Sequence, residues 1–242
     1  MVETIPACPD AAKLTAAQRR LAGFSPRPLG HGAAGMLLLA LLVMAQACAH
    51  AQNRGPKRDA WQHPGQVMDE LGIHTGSVVA DVGCGRGYFT FHMAQRVGPS
   101  GKVYAVDLQQ SWIDEIRKRA AAEGLKQIRA LQGKPDDPEL PKDSLDVVFA
   151  MNTYHEWRQN VAMLNHIYLA LKPGALFALI DGNAATSHSR EYYHLHHRMP
   201  ESMERADVLH AGFVFLRQEP GFTQPDDQKQ FYFLVFQKPV AQ

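Results

Sequence analysis

The sequence predicts a doubly wound α/β fold: a mostly parallel sheet of seven strands, helices on both faces, and an antiparallel hairpin at the C-terminal end. Three observations predict it. Apolar runs of strand length alternate with helix-length segments from residue 59 onward. The first run, Val78-Val79-Ala80, ends on Asp81 and opens into a glycine-dense turn, Gly83-Cys84-Gly85-Arg86-Gly87, with helical spacing directly after it. The last two runs, 213–216 and 230–236, have only a loop between them, which makes them antiparallel neighbours.

The elements follow in order. Residues 59–71 hold helical spacing, with Trp61, Val67, Met68 and Leu71 as the buried face despite the break at Pro64-Gly65; Gly72 and Gly76 close the segment. After the glycine turn, Phe89, Met93, Ala94 and Val97 fall on one helical face. A second strand, 102–106, ends on Asp107, and Trp112, Ile113 and Ile116 mark a helix ending near Gly124. A third strand covers 127–131. The fourth, 145–151, is continuously apolar, as a strand buried on both faces is. A helix over 159–171 meets Lys172-Pro173-Gly174, read as its stop, and a fifth strand, 175–180, ends on Asp181. The last helix, 201–211, closes at Gly212.

The glycine turn defines a ligand site. Strand, tight turn and helix start bring unpaired N–H groups to a point where no side chain blocks a ligand. A dinucleotide fingerprint requires G-x-G-x-x-G; here the third glycine comes one residue early, with Tyr88 in the place of the expected glycine. Asp107 stands about 20 residues past the turn, the reach at which a carboxylate meets ribose hydroxyls.

Charge excludes one class of partner. The chain holds 25 Lys and Arg against 24 Asp and Glu. Setting aside the four basic and two acidic residues of the first 51 leaves 21 against 22, no basic field for a nucleic-acid backbone. The cysteines, Cys8, Cys48 and Cys84, have neither metal nor disulfide spacing in the folded part. Residues 1–51 read as an export leader: arginines, a short apolar run from Met36 to Met44, and the small-x-small site Ala49-His50-Ala51 with cleavage before Gln52. Residues 52–58 form a linker and 59–242 the single domain. The location expected is exported and periplasmic. The alternative is an inner-membrane anchor, with membrane association through the N-terminal segment and the domain left in the cytosol.

D-V-G-C-G-R-G at 81–87 and V-Y-A-V-D at 103–107 resemble the first two motifs of the class I S-adenosylmethionine-dependent methyltransferases. L-K-P-G at 171–174 and S-L-D-V-V-F-A-M-N-T-Y-H-E-W at 144–157 are similar to that family's fifth-strand turn and fourth strand. R-x-x-W at Arg58 and Trp61, and Tyr154-His155 after the fourth strand, bring the chain nearest to small bacterial methyltransferases related to the ubiquinone/menaquinone-biosynthesis group. The resemblance spans roughly residues 59–237. It implies a Rossmann-like sheet and S-adenosyl-L-methionine as cofactor. By the same resemblance Asp81, Gly83, Gly85 and Gly87 surround the cofactor's methionine and ribose parts, Asp107 binds the ribose hydroxyls, and Leu108 packs on adenine. Where the family shows Gly-Asp after its third strand, this chain has Gly133-Lys134, so Asp136 or Asp137 is the substitute for the adenine contact.

Methyl transfer asks an enzyme mainly for alignment and, with O or N nucleophiles, for proton removal. The acceptor belongs over the C-terminal ends of strands four and five, where Asn152, Tyr154 and His155 are the catalytic candidates beside Glu156. His155 is the candidate general base because imidazole titrates near neutrality, or else it fixes the loop by hydrogen bonding. Asp181 orients a substrate or caps the following loop. His188, Tyr192, Tyr193, His194, His196 and His197 crowd one loop, which reads either as a metal site completed by Asp181 or as a polar lid over the acceptor pocket; without fixed ligand spacing the lid is the preferred reading and no metal is expected. The function expected is methyl transfer to a small-molecule or lipid-soluble acceptor. The alternative is a catalytically silent methyltransferase-fold protein that only binds ligand.

Overall fold

The computed structural model describes residues 55–224 and 229–240. The leader expected over 1–51 and its cleavage site before Gln52 lie outside these residues. A helix begins at residue 55, inside the stretch 52–58 read as a linker.

Helix α1 (Gly55–Gln62) and α2 (Pro64–Glu70) replace the single broken helix read from the sequence. The break falls at His63, whose φ of 45° is left-handed, and Pro64 then starts α2 with φ already set. Strand β1 (Val78–Val82), α3 (Tyr88–Val97), β2 (Lys102–Asp107), α4 (Gln110–Ala122) and β3 (Ile128–Gln132) follow. After β4 (Leu145–Met151) come a single 3₁₀ turn (Tyr154–Glu156), α5 (Asn160–Ala170) and β5 (Leu171–Gly182). Helices α6 (Arg190–Leu195) and α7 (Glu201–His210) precede β6 (Val214–Thr223) and β7 (Gln230–Gln237).

The seven strands lie in the order β3-β2-β1-β4-β5-β7-β6. β1 pairs in parallel with β2 and β4, and β7 pairs antiparallel with β5 and β6. The strand order therefore reverses between β1 and β4, which opens a crevice at their carboxyl ends.

Each face of the sheet has its own core. On one, Met68, Phe89, Met93, Ile113 and Ile116 pack on Val79, Phe149 and Val235. On the other, Leu164, Ile167, Tyr193 and Val208 pack on Val148, Phe177, Leu179 and Phe236. The helical faces read from the sequence are the buried ones: Phe89, Met93, Ala94 and Val97 are all at most 3% exposed.

Two elements differ from expectation. Lys172-Pro173-Gly174 does not separate helix from strand by a loop. β5 begins at Leu171 opposite Leu145, and the register then jumps to Val147 opposite Leu176, so the Pro-Gly pair is an irregularity inside the pairing. β6 is ten residues long rather than four, because two register shifts carry its pairing with β7 past Pro220-Gly221. Among the described residues no helix is long and apolar enough to cross a membrane.

Candidate functional site

Pairing of Val82 with Val106 brings the ends of β1 and β2 together. The Val106 carbonyl then accepts from two N–H groups of the turn, Gly83 at 2.8 Å and Cys84 at 3.0 Å. All three glycines have left-handed φ: 76° at Gly83, 54° at Gly85 and 83° at Gly87. They lack side chains for different reasons. A β-carbon on Gly83 would sit 2.2 Å from Thr153 Oγ1, and one on Gly87 would sit 2.9 Å from the Phe91 ring. One on Gly85 would meet nothing nearer than the Trp112 ring at 4.0 Å. Gly83 and Gly87 are thus small for packing, whereas Gly85 faces open space.

Asp107 bounds that space. One of its carboxylate oxygens accepts from the Gly85 N–H and the other from the Gln109 N–H, both at 2.9 Å. Beside it Leu108 is 52% exposed, an apolar platform unusual on a strand end. An open backbone cradle, a fixed carboxylate and an apolar platform fit an adenosyl group with its ribose hydroxyls.

Asp81 lies below the cradle and is 3% exposed. Thr90 Oγ1 donates to it at 2.7 Å. Burial pushes its carboxyl up to about 6, a rise opposed by Thr90 and by the charge of Arg58. Arg58 stacks on the Tyr88 ring at 3.9 Å, and the Tyr88 hydroxyl donates to Asp59 at 2.5 Å. The arginine of the R-x-x-W motif therefore supplies positive charge to the cradle's buried acid. Burial also pushes the Cys84 thiol far up, which makes it a packing residue and not a nucleophile.

The second half of the site is built at the ends of β4 and β5. Met151 pairs with Ile180, so the residues that follow them, the 152–156 turn and Asp181, meet. Asp181, fully buried, accepts from the His155 backbone N–H at 3.0 Å and sits 2.8 Å from His155 Nδ1. A carboxylate only accepts, so Nδ1 carries the proton, and in the neutral ring Nε2 holds the lone pair. The ring is 1% exposed and its Nε2 has no hydrogen-bond partner among the described residues; Glu156 Oε1 lies 3.8 Å away. Asn152, with a left-handed φ of 53°, accepts from Lys229 Nζ at 2.8 Å. Lys229 also donates to the His197 carbonyl at 3.0 Å.

The structure thus gathers Asp81, Gly83, Gly85, Gly87, Asp107 and Leu108 at one crevice, with Asn152 and His155 on its β4 side. Tyr154 is not brought there. It is 1% exposed in the core on the other face, and its hydroxyl donates to Asp207 at 2.7 Å. The catalytic role expected for it gives way to anchoring α7. Asp136 is half-buried on the loop after β3, which starts at the cradle rim where the Gly133 N–H donates to the Asp107 carbonyl at 3.1 Å. Its backbone carbonyl lies 2.9 Å from His166 Nδ1 on α5, and its carboxylate has no hydrogen-bond partner among the described residues. The expected histidine lid is partly a helix, α6. In it His194 Nδ1 donates to the His155 carbonyl, and just past its end His196 stacks on Tyr192 at 3.8 Å. His197 packs its ring edge-to-face on the His155 ring at 5.4 Å.

Sequence reading missed Thr153 as the residue that seats Gly83, and it left Asp181 between two roles. A threonine just past the fourth strand carries no signal of its own. Asp181 at the end of the neighbouring strand does carry one once β4 and β5 are taken as parallel partners.

The fold and this crevice define a class I S-adenosylmethionine-dependent methyltransferase. The methyltransferase domain family matches residues 73–232, and the chain belongs to that family. The chain is 31% identical over 132 residues to the demethylmenaquinone methyltransferase of Lactococcus lactis, covering 54% of this chain and 50% of that one. It is 39% identical over 74 residues to the aklanonic acid methyltransferase of a Streptomyces strain, covering 31% and 34%. The chain spans about half or less of the length of these curated relatives. A methyltransferase structure from Aquifex aeolicus superposes with a TM-score of 0.61 at 24% identity, over 74% of this chain and 93% of that chain. A phosphoethanolamine N-methyltransferase from Haemonchus contortus, in complex with S-adenosyl-L-methionine, superposes at 0.60 with 17% identity, over 74% and 53%.

Proposed function

We propose that the chain methylates a small-molecule or lipid-soluble acceptor lying over the ends of β4 and β5. The observation that carries this reading is the buried His155–Asp181 pair, one strand from the cofactor cradle. S-adenosylmethionine, when bound, supplies a methyl group already activated on a sulfonium. The chain's own residues do the rest. Gly85 and Asp107 fix the cofactor's backbone-facing and ribose parts. Asp181 holds His155 in one tautomer, so that the Nε2 lone pair faces the acceptor and takes up the proton that its O–H or N–H gives off.

Relatives named for demethylmenaquinone, aklanonic acid and nocamycin support an acceptor of that kind. The test is transfer of radiolabelled methyl from S-adenosylmethionine to a panel of quinols, phenols and polyketide acids. Labelled product that His155→Ala loses while S-adenosylhomocysteine affinity stays within twofold supports the reading. Cofactor binding with no transfer to any acceptor class supports the silent binding protein instead. Export of the chain from Gln52 onward belongs to the same proposal, and N-terminal sequencing of protein from its native host tests it.

A further inference from the structure

His155 has a second neighbour set that the acceptor reading leaves unused. Its Nε2 lies 3.8 Å from Glu156 Oε1, and His197 Nδ1 lies 3.9 Å from the same oxygen. One ligand atom from each of the three residues falls within 4.8 Å of the others. We propose that His155 Nε2, the Glu156 carboxylate and His197 Nδ1 form a site for one divalent transition-metal ion, with its remaining positions open toward the acceptor.

Four features carry the assignment. Bonds of about 2.0–2.2 Å to nitrogen and oxygen put ligand atoms roughly 3–3.5 Å apart, so the two edges at 3.8 and 3.9 Å must close by about 0.3–0.9 Å for the cluster to coordinate. The side chains that must move are the free ones: Glu156 and His197 are 61% and 69% exposed, whereas His155 is 1% exposed. His155 is also prepared as a ligand. Asp181 receives its Nδ1–H, the carboxylate–histidine arrangement that fixes the tautomer and strengthens the other nitrogen as a donor. Finally, the backbone behind the third ligand is pinned. Lys229 donates to the His197 carbonyl at 3.0 Å and to Asn152 at 2.8 Å, which ties the His197 turn to the end of β4.

The donor set narrows the ion. Two imidazoles and one carboxylate suit Zn²⁺, Mn²⁺, Fe²⁺, Co²⁺ or Ni²⁺ and not the all-oxygen preference of Mg²⁺ or Ca²⁺. Three protein ligands with open positions are the arrangement of a reactive site, not of a structural one. Resting on the acceptor reading, the ion narrows the acceptor to one bearing an acidic oxygen, a phenol or an enol beside a second oxygen. An acceptor oxygen taken into an open position loses its proton to bulk water more readily than a free hydroxyl, and it then faces the cradle. With the ion bound, His155 acts through it in place of direct proton transfer.

The test uses the purified full chain, stripped with EDTA and titrated with Co²⁺, whose visible d–d bands report nitrogen and oxygen ligation. The expected result is one ion per chain with those bands. Glu156→Gln and His197→Ala each weaken Co²⁺ binding at least about tenfold, and Asp181→Asn weakens it by about 10–100-fold. Circular dichroism of the two exposed-site variants shows them folded. Absence of the bands, or binding that survives both Glu156→Gln and His197→Ala, overturns the proposal. Calorimetry with S-adenosylhomocysteine on the same samples keeps the two readings apart. Retained S-adenosylhomocysteine affinity without Co²⁺ bands sinks the metal site alone, whereas Co²⁺ binding without S-adenosylhomocysteine affinity sinks the cofactor cradle.

Discussion

Asp81 carries a carboxyl group into a place that water does not reach, and the stability of the ligand-free protein registers it. Its folded-state value of about 6 lies above the ordinary 3.8. The folded chain therefore binds that proton more tightly than the unfolded chain does. The contribution to stability is full below the ordinary value and is lost as pH rises through about 6. Asp81→Asn removes the charge and keeps a partner for Thr90. The variant should be more stable than the parent at pH 8 by roughly 2–3 kcal/mol, with the advantage vanishing near pH 4; thermal melts across that range check it. Asp107 accepts from two backbone N–H groups at the cradle rim. Asp107→Ala should weaken S-adenosylhomocysteine binding by about 1.5–3 kcal/mol, at least tenfold in affinity by calorimetry. Both carboxylates were legible in the sequence, since strand ends next to a glycine turn leave few other roles. The opposite turn of Tyr154 was not legible. It sits one residue from His155, and a 3₁₀ turn sends adjacent side chains to different faces, which spacing alone does not reveal.

At the scale of the element, the glycine turn separates two kinds of glycine that look alike in sequence. Gly83 and Gly85 are both left-handed, so an alanine at either adds roughly 1–2 kcal/mol of backbone strain. Only Gly83→Ala also drives a β-carbon into the Thr153 side chain. Gly83→Ala should therefore melt well below Gly85→Ala, while Gly85→Ala should lose more cofactor affinity than its small drop in melting temperature explains. Differential scanning calorimetry with and without S-adenosylhomocysteine separates the two effects. Strand existence was readable throughout, and 145–151 matches β4 end to end because a strand buried on both faces is apolar nearly throughout, here interrupted only by Asp146. Edges and irregular stretches were less so. β6 alternates exposed and half-buried residues and is carried by bulges, and α6 is a single short helix among histidines that no apolar face announces.

For the whole molecule, the strand order is what makes a site out of motifs far apart in the chain. Asp107 and His155 are 48 residues apart in number, and they reach one crevice because β1 lies between β2 and β4. A ligand in that crevice is gripped by elements from both halves of the sheet, so it stabilises the fold as a unit. At a concentration about 100 times its dissociation constant, S-adenosylhomocysteine should add about 2.7 kcal/mol, a rise of roughly 5–10 °C in melting temperature for a domain of this size. A rise confined to local probes near the glycine turn, without a shift of the global melt, would show that the two halves unfold separately. The overall topology was legible because alternation of strands and helices admits few arrangements. The pairing of His155 with Asp181 needed the register of β4 against β5.

Thr153 seated against Gly83 joins the floor of the cofactor cradle to the loop that carries His155. That contact should couple the cofactor cradle to the acceptor loop. A shift of the glycine turn on cofactor binding would be passed through Thr153 to the acceptor loop, so a filled cradle should set that loop before the acceptor arrives. Linkage makes the effect reciprocal, so each ligand tightens the other by the same factor. Steady-state turnover should accordingly follow an ordered path, cofactor on first and demethylated cofactor off last. S-adenosylhomocysteine should then inhibit competitively against S-adenosylmethionine and non-competitively against the acceptor. Thr153→Ala, which leaves a gap where the two loops touch, should relax that order toward random.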